Sequence, residues 1–259
     1  MRIERNKQKW LGKEFQTLTS GTCTIIDYKG TYDVTVEFDS PHFIRKTTLS
    51  KLKTGKVKNP MYPSVCGKGY FGVGEYSNKG GDRTLYTLWK DMITRCYGGH
   101  GTQTFKVYED VKVCEEWLNF QNFAEWCVGN SFYGKTDDKG RKYQLDKDIL
   151  IRGNKIYSPE TCCFVPASIN CILLFSKGSR GNLPVGVSYV KKLRKYRADI
   201  SRRNISDRVL GYFNTPEEAF EVYKVTRERY IKEMAEIWKD HIDERVCQAL
   251  LNYEVHIDD

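Results

Sequence analysis

The spacing of apolar positions changes along this chain, and each change marks an element. Between Cys23 and Leu49, short β-branched and aromatic runs (Cys23–Tyr28, Asp33–Phe38, Phe43–Leu49) are separated by the turn residues Lys29-Gly30 and Asp39-Ser40-Pro41. Runs of this kind predict strands. Residues 1–58 are therefore expected to form a small β module, a curled sheet or SH3-like barrel. Residues 59–80 break the pattern with two prolines and five glycines. They read as a linker or crossing segment, held to a surface by Tyr62, Tyr70 and Phe71. Leu85, Leu88, Trp89, Met92, Ile93 and Cys96 then recur at helical spacing, which predicts an amphipathic helix over Thr84–Tyr97. Trp117, Phe120, Phe123, Ala124 and Cys127 predict a second helix over about Glu115–Val128.

Past the polar stretch Asn130–Lys142, Tyr143–Leu150 reads as a strand, Ile151–Ser158 as a loop and Thr161–Val165 as a strand. Pro166 suits the first turn of a helix running through Asn170 to about Phe175, giving a ββα order. Three more strands follow at Val185–Tyr189, Tyr196–Ser201 and Val209–Tyr212. Thr215-Pro216-Glu217-Glu218 then offers an N-cap, an N1 proline and an N3 glutamate for a long helix whose apolar face includes Ala219, Phe220, Val222 and Tyr223. The expected class is α+β and multidomain. Its parts are a β module (1–58), a linker (59–80), a central ββα-containing domain (81–176), a three-stranded sheet plus helix (183–240) and an acidic tail (241–259).

The charge is segregated. Residues 1–80 carry net +7, residues 81–176 zero, residues 177–232 net +8 and residues 233–259 net −6, within a total of +9. Basic segments flanking a neutral one suit a polyanion, since phosphate neutralisation supplies most non-specific affinity. Double-stranded DNA is the expected partner. The nine cysteines are odd in number, with no Cys-x-x-Cys pair, so neither a zinc site nor a disulfide framework is expected, but buried thiols in a reducing compartment. The N-terminus MRIERNKQKW has no apolar signal core, and no apolar run approaches a membrane span, so a cytoplasmic location without a membrane partner is expected.

Candidate chemistry concentrates in Gln144–Asn170. This stretch holds Asp146, Lys147 and Asp148, then Asn154, then Asn170, and no histidine. A carboxylate and an amide oxygen are hard ligands that suit Mg²⁺ or Mn²⁺. Each residue also has a plainer reading. The Asp146–Asp148 alternation makes an exposed strand edge, Asn154 a turn and Asn170 a helix cap. In the last segment, alternation points Tyr196, Ala198 and Ile200 at the helix and Arg197 and Asp199 outward. Arg194, Arg197, Arg202 and Arg203 are candidate base readers, and Lys191, Lys192, Lys195 and Arg208 candidate phosphate clamps.

Two resemblances join these readings. LWKDMITRCY, VCEEWLNFQNFAEW and LDKDILIRGNKIYSPETCCFVPASIN, over roughly Leu85–Phe175, resemble phage HNH-type (ββα-metal) endonucleases of the homing kind. LPVGVSYVKKLRKYRADI with LGYFNTPEEAFEVYKVTRERY looks like an AP2-type DNA-binding domain. The first resemblance implies that Asp146 and Asn170 are metal ligands. It implies that Lys147 stands where the general-base histidine belongs, and Asn154 where an asparagine orients that base. A bound Mg²⁺ would act on the scissile phosphate and leaving oxygen. Lysine beside two aspartates is expected to stay charged and to hold phosphate rather than deprotonate water, with Asp148 as substitute base. Three functions remain open at this point. They are a metal-dependent site-specific DNA endonuclease, a catalytically disabled derivative acting as a repressor or blocker, and a basic protein that binds an acidic protein partner.

Overall fold

The computed structural model describes residues 2–99, 108, 110–173, 182–200 and 208–259. It is mixed α+β and divides into two compact units, Met1–Asn130 with Ile156–Ser158, and Ser131–Lys155 with Pro159–Asp259. The span 81–176, expected as one domain, is thus shared between them. No helix among the described residues is long and apolar enough to cross a membrane.

The first unit opens with α1 (Arg2–Trp10), followed by β1 (Glu14–Gln16), β2 (Thr22–Gly30), β3 (Asp33–Asp39), β4 (His42–Thr47) and α2 (Leu49–Lys53). The strands form an antiparallel meander in chain order. Pairs such as Ile25 opposite Val36 put Cys23, Ile25, Tyr28, Val34, Val36 and Phe38 on one buried face, closed by Leu49, Leu52 and Val57. Leu49, expected at the end of a strand, instead opens α2, because the Thr48 side chain accepts from Lys51 N–H and caps it. Helix α1 escapes a periodicity reading because it is almost wholly polar. Its last residue, Trp10, supplies the anchor, set 6.3 Å from the Phe15 ring and packed on the sheet's core.

Helix α3 (Arg83–Tyr97) buries Leu85, Trp89, Met92, Ile93 and Cys96, as the spacing predicts. After β5 (Lys112–Val113), the second expected helix is two, α4 (Glu115–Leu118) and α5 (Phe120–Gly129). Asn119 is extended between them, and its side chain accepts from Gln121 N–H to cap α5. Segment 59–80 is pinned rather than loose. The buried Gln121 accepts from Tyr76 N–H (2.9 Å) and donates to the Phe71 and Tyr76 carbonyls (3.2 and 3.0 Å). Gly72 has φ +74°, and a Cβ there would lie 1.9 Å from Asn119 Oδ1, so this glycine serves close approach.

The chain then forms β6 (Gln144–Asp146) in the second unit and returns to the first, where β7 (Ile156–Tyr157) pairs in parallel with β5. In the second unit β6 pairs antiparallel with β8 (Cys163–Val165), Asp146 opposite Cys163. Helix α6 (Ala167–Asn170) follows with Pro166 as its N-cap, and a 3₁₀ turn continues it over Cys171–Leu173. The rest of the expected helix lies outside the described residues. The strands β9 (Val187–Val190), β10 (Lys195–Asp199) and β11 (Val209–Phe213) form an antiparallel sheet of order β11-β10-β9. The long α7 (Pro216–Trp238) carries the complete Thr215–Glu218 capping box with Pro216 at its start. The acidic C-terminal stretch holds α8 (Glu244–Leu251), whose Val246, Cys247 and Leu250 are buried. One apolar cluster joins all these parts: Ile149, Val165 and Ile169 from the ββα region, Val187, Ala198 and Ile200 from the sheet, Phe220 and Tyr223 from α7. None of the nine cysteines is in a disulfide. Six are buried, whereas Cys66 and Cys171 are exposed.

Candidate metal centre and nucleic-acid interface

The expected strand over Tyr143–Leu150 stops at Asp146 because that carboxylate turns the chain. Its Oδ1 accepts from the backbone N–H of Asp148 (2.7 Å) and of Ile149 (2.9 Å), which competes with the ladder. Among the described residues no hydrogen bond falls on its Oδ2. Burial pushes the Asp146 carboxyl above the usual carboxylate range, and it outweighs the two N–H bonds that pull the other way.

Lys147 is buried, 7 % exposed. Its Nζ donates to Asp148 Oδ1 and to the Asn154 carbonyl (3.1 Å), and Asn154 Nδ2 donates back to the Lys147 carbonyl (2.8 Å). Strand end and loop are thereby stapled. On α6, Asn170 Nδ2 donates to Gln144 Oε1 (2.7 Å) on β6. This bond uses the amide's nitrogen and leaves its Oδ1 as an acceptor. Gln144 was passed over in the sequence, although its parity with Asp146, two residues on, puts both on one side of β6.

The structure thus brings Asp146, Lys147, Asp148, Asn154 and Asn170 onto one hairpin, loop and helix. Among the described residues no three His, Cys, Asp or Glu side chains gather as a metal-binding group. The donors on offer are the Asp146 Oδ2 and Asn170 Oδ1 oxygens, which fit a hard, largely hydrated divalent cation. A raised folded pKa stabilises fully below the unfolded value, and that contribution is lost as pH rises through the folded one. Ionisation of the half-buried Asp146 therefore destabilises the fold as pH rises, and a bound cation would offset that loss. Asp146→Asn keeps an Oδ1 acceptor for both N–H groups. It should raise the melting temperature at neutral pH in chelator. Mn²⁺ at about ten times its Kd should then stabilise the wild type by roughly 1.4 kcal/mol and leave the variant unmoved. Equal Mn²⁺ shifts in scanning calorimetry would remove Asp146 from the ligand set.

The outward face of the C-terminal sheet is a row across three strands: Ser188 opposite Arg197, and Arg197 opposite Tyr212. Ala198 and Ile200 are buried on the helix side as alternation predicts. Arg197 is half-exposed, and its Nε donates to Asp199 Oδ2 (2.8 Å), which also lies 3.2 Å from the Ser188 hydroxyl. One side of the guanidinium is thus fixed in orientation. Ser188 and Tyr212 were not singled out in the sequence, although the register makes them Arg197's neighbours. Lys191, Lys192, Arg194 and Lys195 are exposed in and beside the β9–β10 turn, with Arg194 at φ +52°, and Arg208 is exposed next to β11. Arg202 and Arg203 lie outside the described residues. Comparison with protein-family models, with curated proteins and with solved structures finds no match to this chain.

Proposed function

We propose that this chain is a phage-type, site-specific double-stranded-DNA-binding protein of the HNH homing endonuclease lineage. In this reading the β6–β8 hairpin with α6 is a ββα-metal fold, and the β9–β11 sheet with α7 is an AP2-like reader. The N-terminal meander is an SH3-like accessory on the duplex, and the protein works in the cytoplasm of a bacterial host. The observation that carries the proposal is the constellation of Asp146, Lys147, Asn154 and Asn170 on one hairpin, loop and helix, in the order the nuclease motif requires. A bound Mg²⁺ or Mn²⁺ would supply Lewis acidity at a phosphodiester. Asp146 and Asn170 hold it, and Gln144 orients the Asn170 amide.

One contact set favours the catalytically disabled form over a working endonuclease. The base position holds an ammonium, which has donors and no acceptor. It is committed to Asp148 and to the Asn154 carbonyl. Lys147 therefore orients phosphate or braces the loop, and the wild-type chain binds its site as a repressor or blocker.

The β9–β11 sheet enters the major groove in this reading, where base edges carry a full donor and acceptor code. Arg197→Ala should weaken cognate duplex by about 1–3 kcal/mol and relax specificity. Lys192→Ala should weaken cognate and random duplex alike and reduce the salt slope by about one. Electrophoretic shift titrations at two salt concentrations check both. No shift of any duplex by the wild type at low salt would end the proposal, and equal losses on cognate and random DNA for Arg197→Ala would end the base-reading assignment.

A further inference from the structure

A cavity of about 720 Å³ opens in the first unit, lined by β4, by the pinned segment 59–80 and by α3. Its charged lining is of one sign. Arg45, Lys46 and Lys58 face it, and no aspartate or glutamate does among the described residues. Lys46 lies 4.0 Å from Asp33 across exposed surface, a weak pair. Arg45 Nη1 donates to the Lys58 carbonyl, while its Nε is buried without a partner. A guanidinium placed so has donors to spare, and its fork matches phosphate oxygens.

Another part of the lining is aromatic. The Phe71 ring lies 5.3 Å from Phe120 and 6.1 Å from Tyr86, tilted to both. Gln121 takes the Phe71 carbonyl and both backbone groups of Tyr76, so the ring sits on a fixed backbone. Asn78 adds an amide, with donor and acceptor, on the same lining. Neighbouring phosphate-binding cations and a held aromatic face are the two contacts a nucleotide needs: charge for the phosphate, stacking for the base. The volume lies in the range of small-molecule sites.

We propose that this cavity is a nucleotide-binding site, with Arg45 and Lys58 on the phosphate and Phe71 against the base. Paired, stacked bases of a duplex do not offer that face. The ligand is a free nucleoside monophosphate or an unstacked nucleotide within single-stranded DNA. The inference stands on the first unit and is independent of duplex reading by β9–β11.

Isothermal titration of the full chain tests it with deoxyadenosine monophosphate, deoxyadenosine, inorganic phosphate and a short oligodeoxyadenylate. The monophosphate should bind, and deoxyadenosine and phosphate should each bind at least about ten-fold more weakly. Lys58→Ala, an exposed change that leaves the fold intact, and Phe71→Leu should each weaken the monophosphate about ten-fold. Lys90→Ala, exposed on α3 and outside the cavity lining, should leave it unchanged. A tighter oligonucleotide assigns the ligand to single-stranded DNA, and equal affinity assigns it to the free nucleotide. The proposal is overturned by any of three results. These are no binding of monophosphate or oligonucleotide at millimolar concentration, phosphate binding as well as the monophosphate, or titrations that both Lys58→Ala and Phe71→Leu leave untouched.

Discussion

Lys147→His is expected to cut bound duplex in Mg²⁺ or Mn²⁺ about 10²–10⁴-fold faster than the wild type, the range a positioned general base contributes. The surroundings of Lys147 are what make a single substitution sufficient. The side chain is buried between the Asp148 carboxylate and the Asn154 carbonyl. An imidazole at that place finds in the carbonyl an acceptor that fixes its tautomer and leaves the other ring nitrogen to take a proton from water. Lysine fills the same place with a cation that has no lone pair to offer. Asp146→Ala in the histidine background should abolish the cleavage, and duplex affinity should survive in both variants. The measurement is single-turnover cleavage of a duplex chosen for tight binding by the wild type. Wild-type cleavage as fast as the variant's would transfer the base role to Asp148. A folded, DNA-binding Lys147→His that never cuts would remove the nuclease lineage from the proposal.

How far the sequence reached depends on which force set each element. Strands β2 and β3 and helix α3 were legible because burial alone decides them, whereas β4 buries no residue and is held by its pairing with β3. The apolar residues of β2, β3 and α3 keep one period, and of the positions the spacing marks on α3 all but the half-buried Leu88 are buried. Elements decided by local polar bonds were not. The strand through Leu150 was cut short by a carboxylate accepting two backbone N–H groups, and one helix became two when Asn119 capped its own successor. Segment 59–80 read as a linker or crossing segment held to a surface by its aromatics, and the polar contacts that hold it were the part not legible. Here Gly72 is needed because Asn119 leaves no room for a Cβ, and Gln121 holds the strand of chain in place. The two compact units cut across the segments read from the sequence for a further reason. Val165 and Ile169 share their core with Val187, Ile200 and Tyr223, and composition carries no record of which apolar faces meet. The site residues were legible as a set of types in order. Their bonds were not: the Lys147–Asn154 staple and the Gln144–Asn170 bridge appear only once hairpin, loop and helix are folded.

Gly186→Ala is expected to be the most damaging single methyl group in the second unit. Gly186 has φ +74°, and a Cβ there would lie 2.1 Å from the Tyr223 ring on α7. The same residue's carbonyl accepts from Asp199 N–H (2.8 Å), tying the start of β9 to the end of β10. Two penalties therefore coincide. The left-handed backbone disfavours any L side chain by about 1–2 kcal/mol, and a methyl forced into a filled core adds about 1–3 kcal/mol. Relief requires β9 to lift from α7, which also breaks the bond to Asp199 and shifts the register that sets Arg197 against Ser188 and Tyr212. The melting temperature should fall by roughly 4–20 °C at about 2–4 °C per kcal/mol, and duplex affinity should fall with it. Gly129→Ala, where nothing lies within 4 Å of the new methyl, is the matched control and should change little. The overlap and backbone penalties separate in a double-mutant cycle. Adding Tyr223→Ala removes the ring and leaves the backbone, so the pair should be less destabilised than the sum of the singles by about 0.5–3 kcal/mol. Strict additivity would place the whole loss in the backbone. A Gly186→Ala protein melting with the wild type would mean that β9 does not run this close to α7, and the outward row built on that register would fall with it.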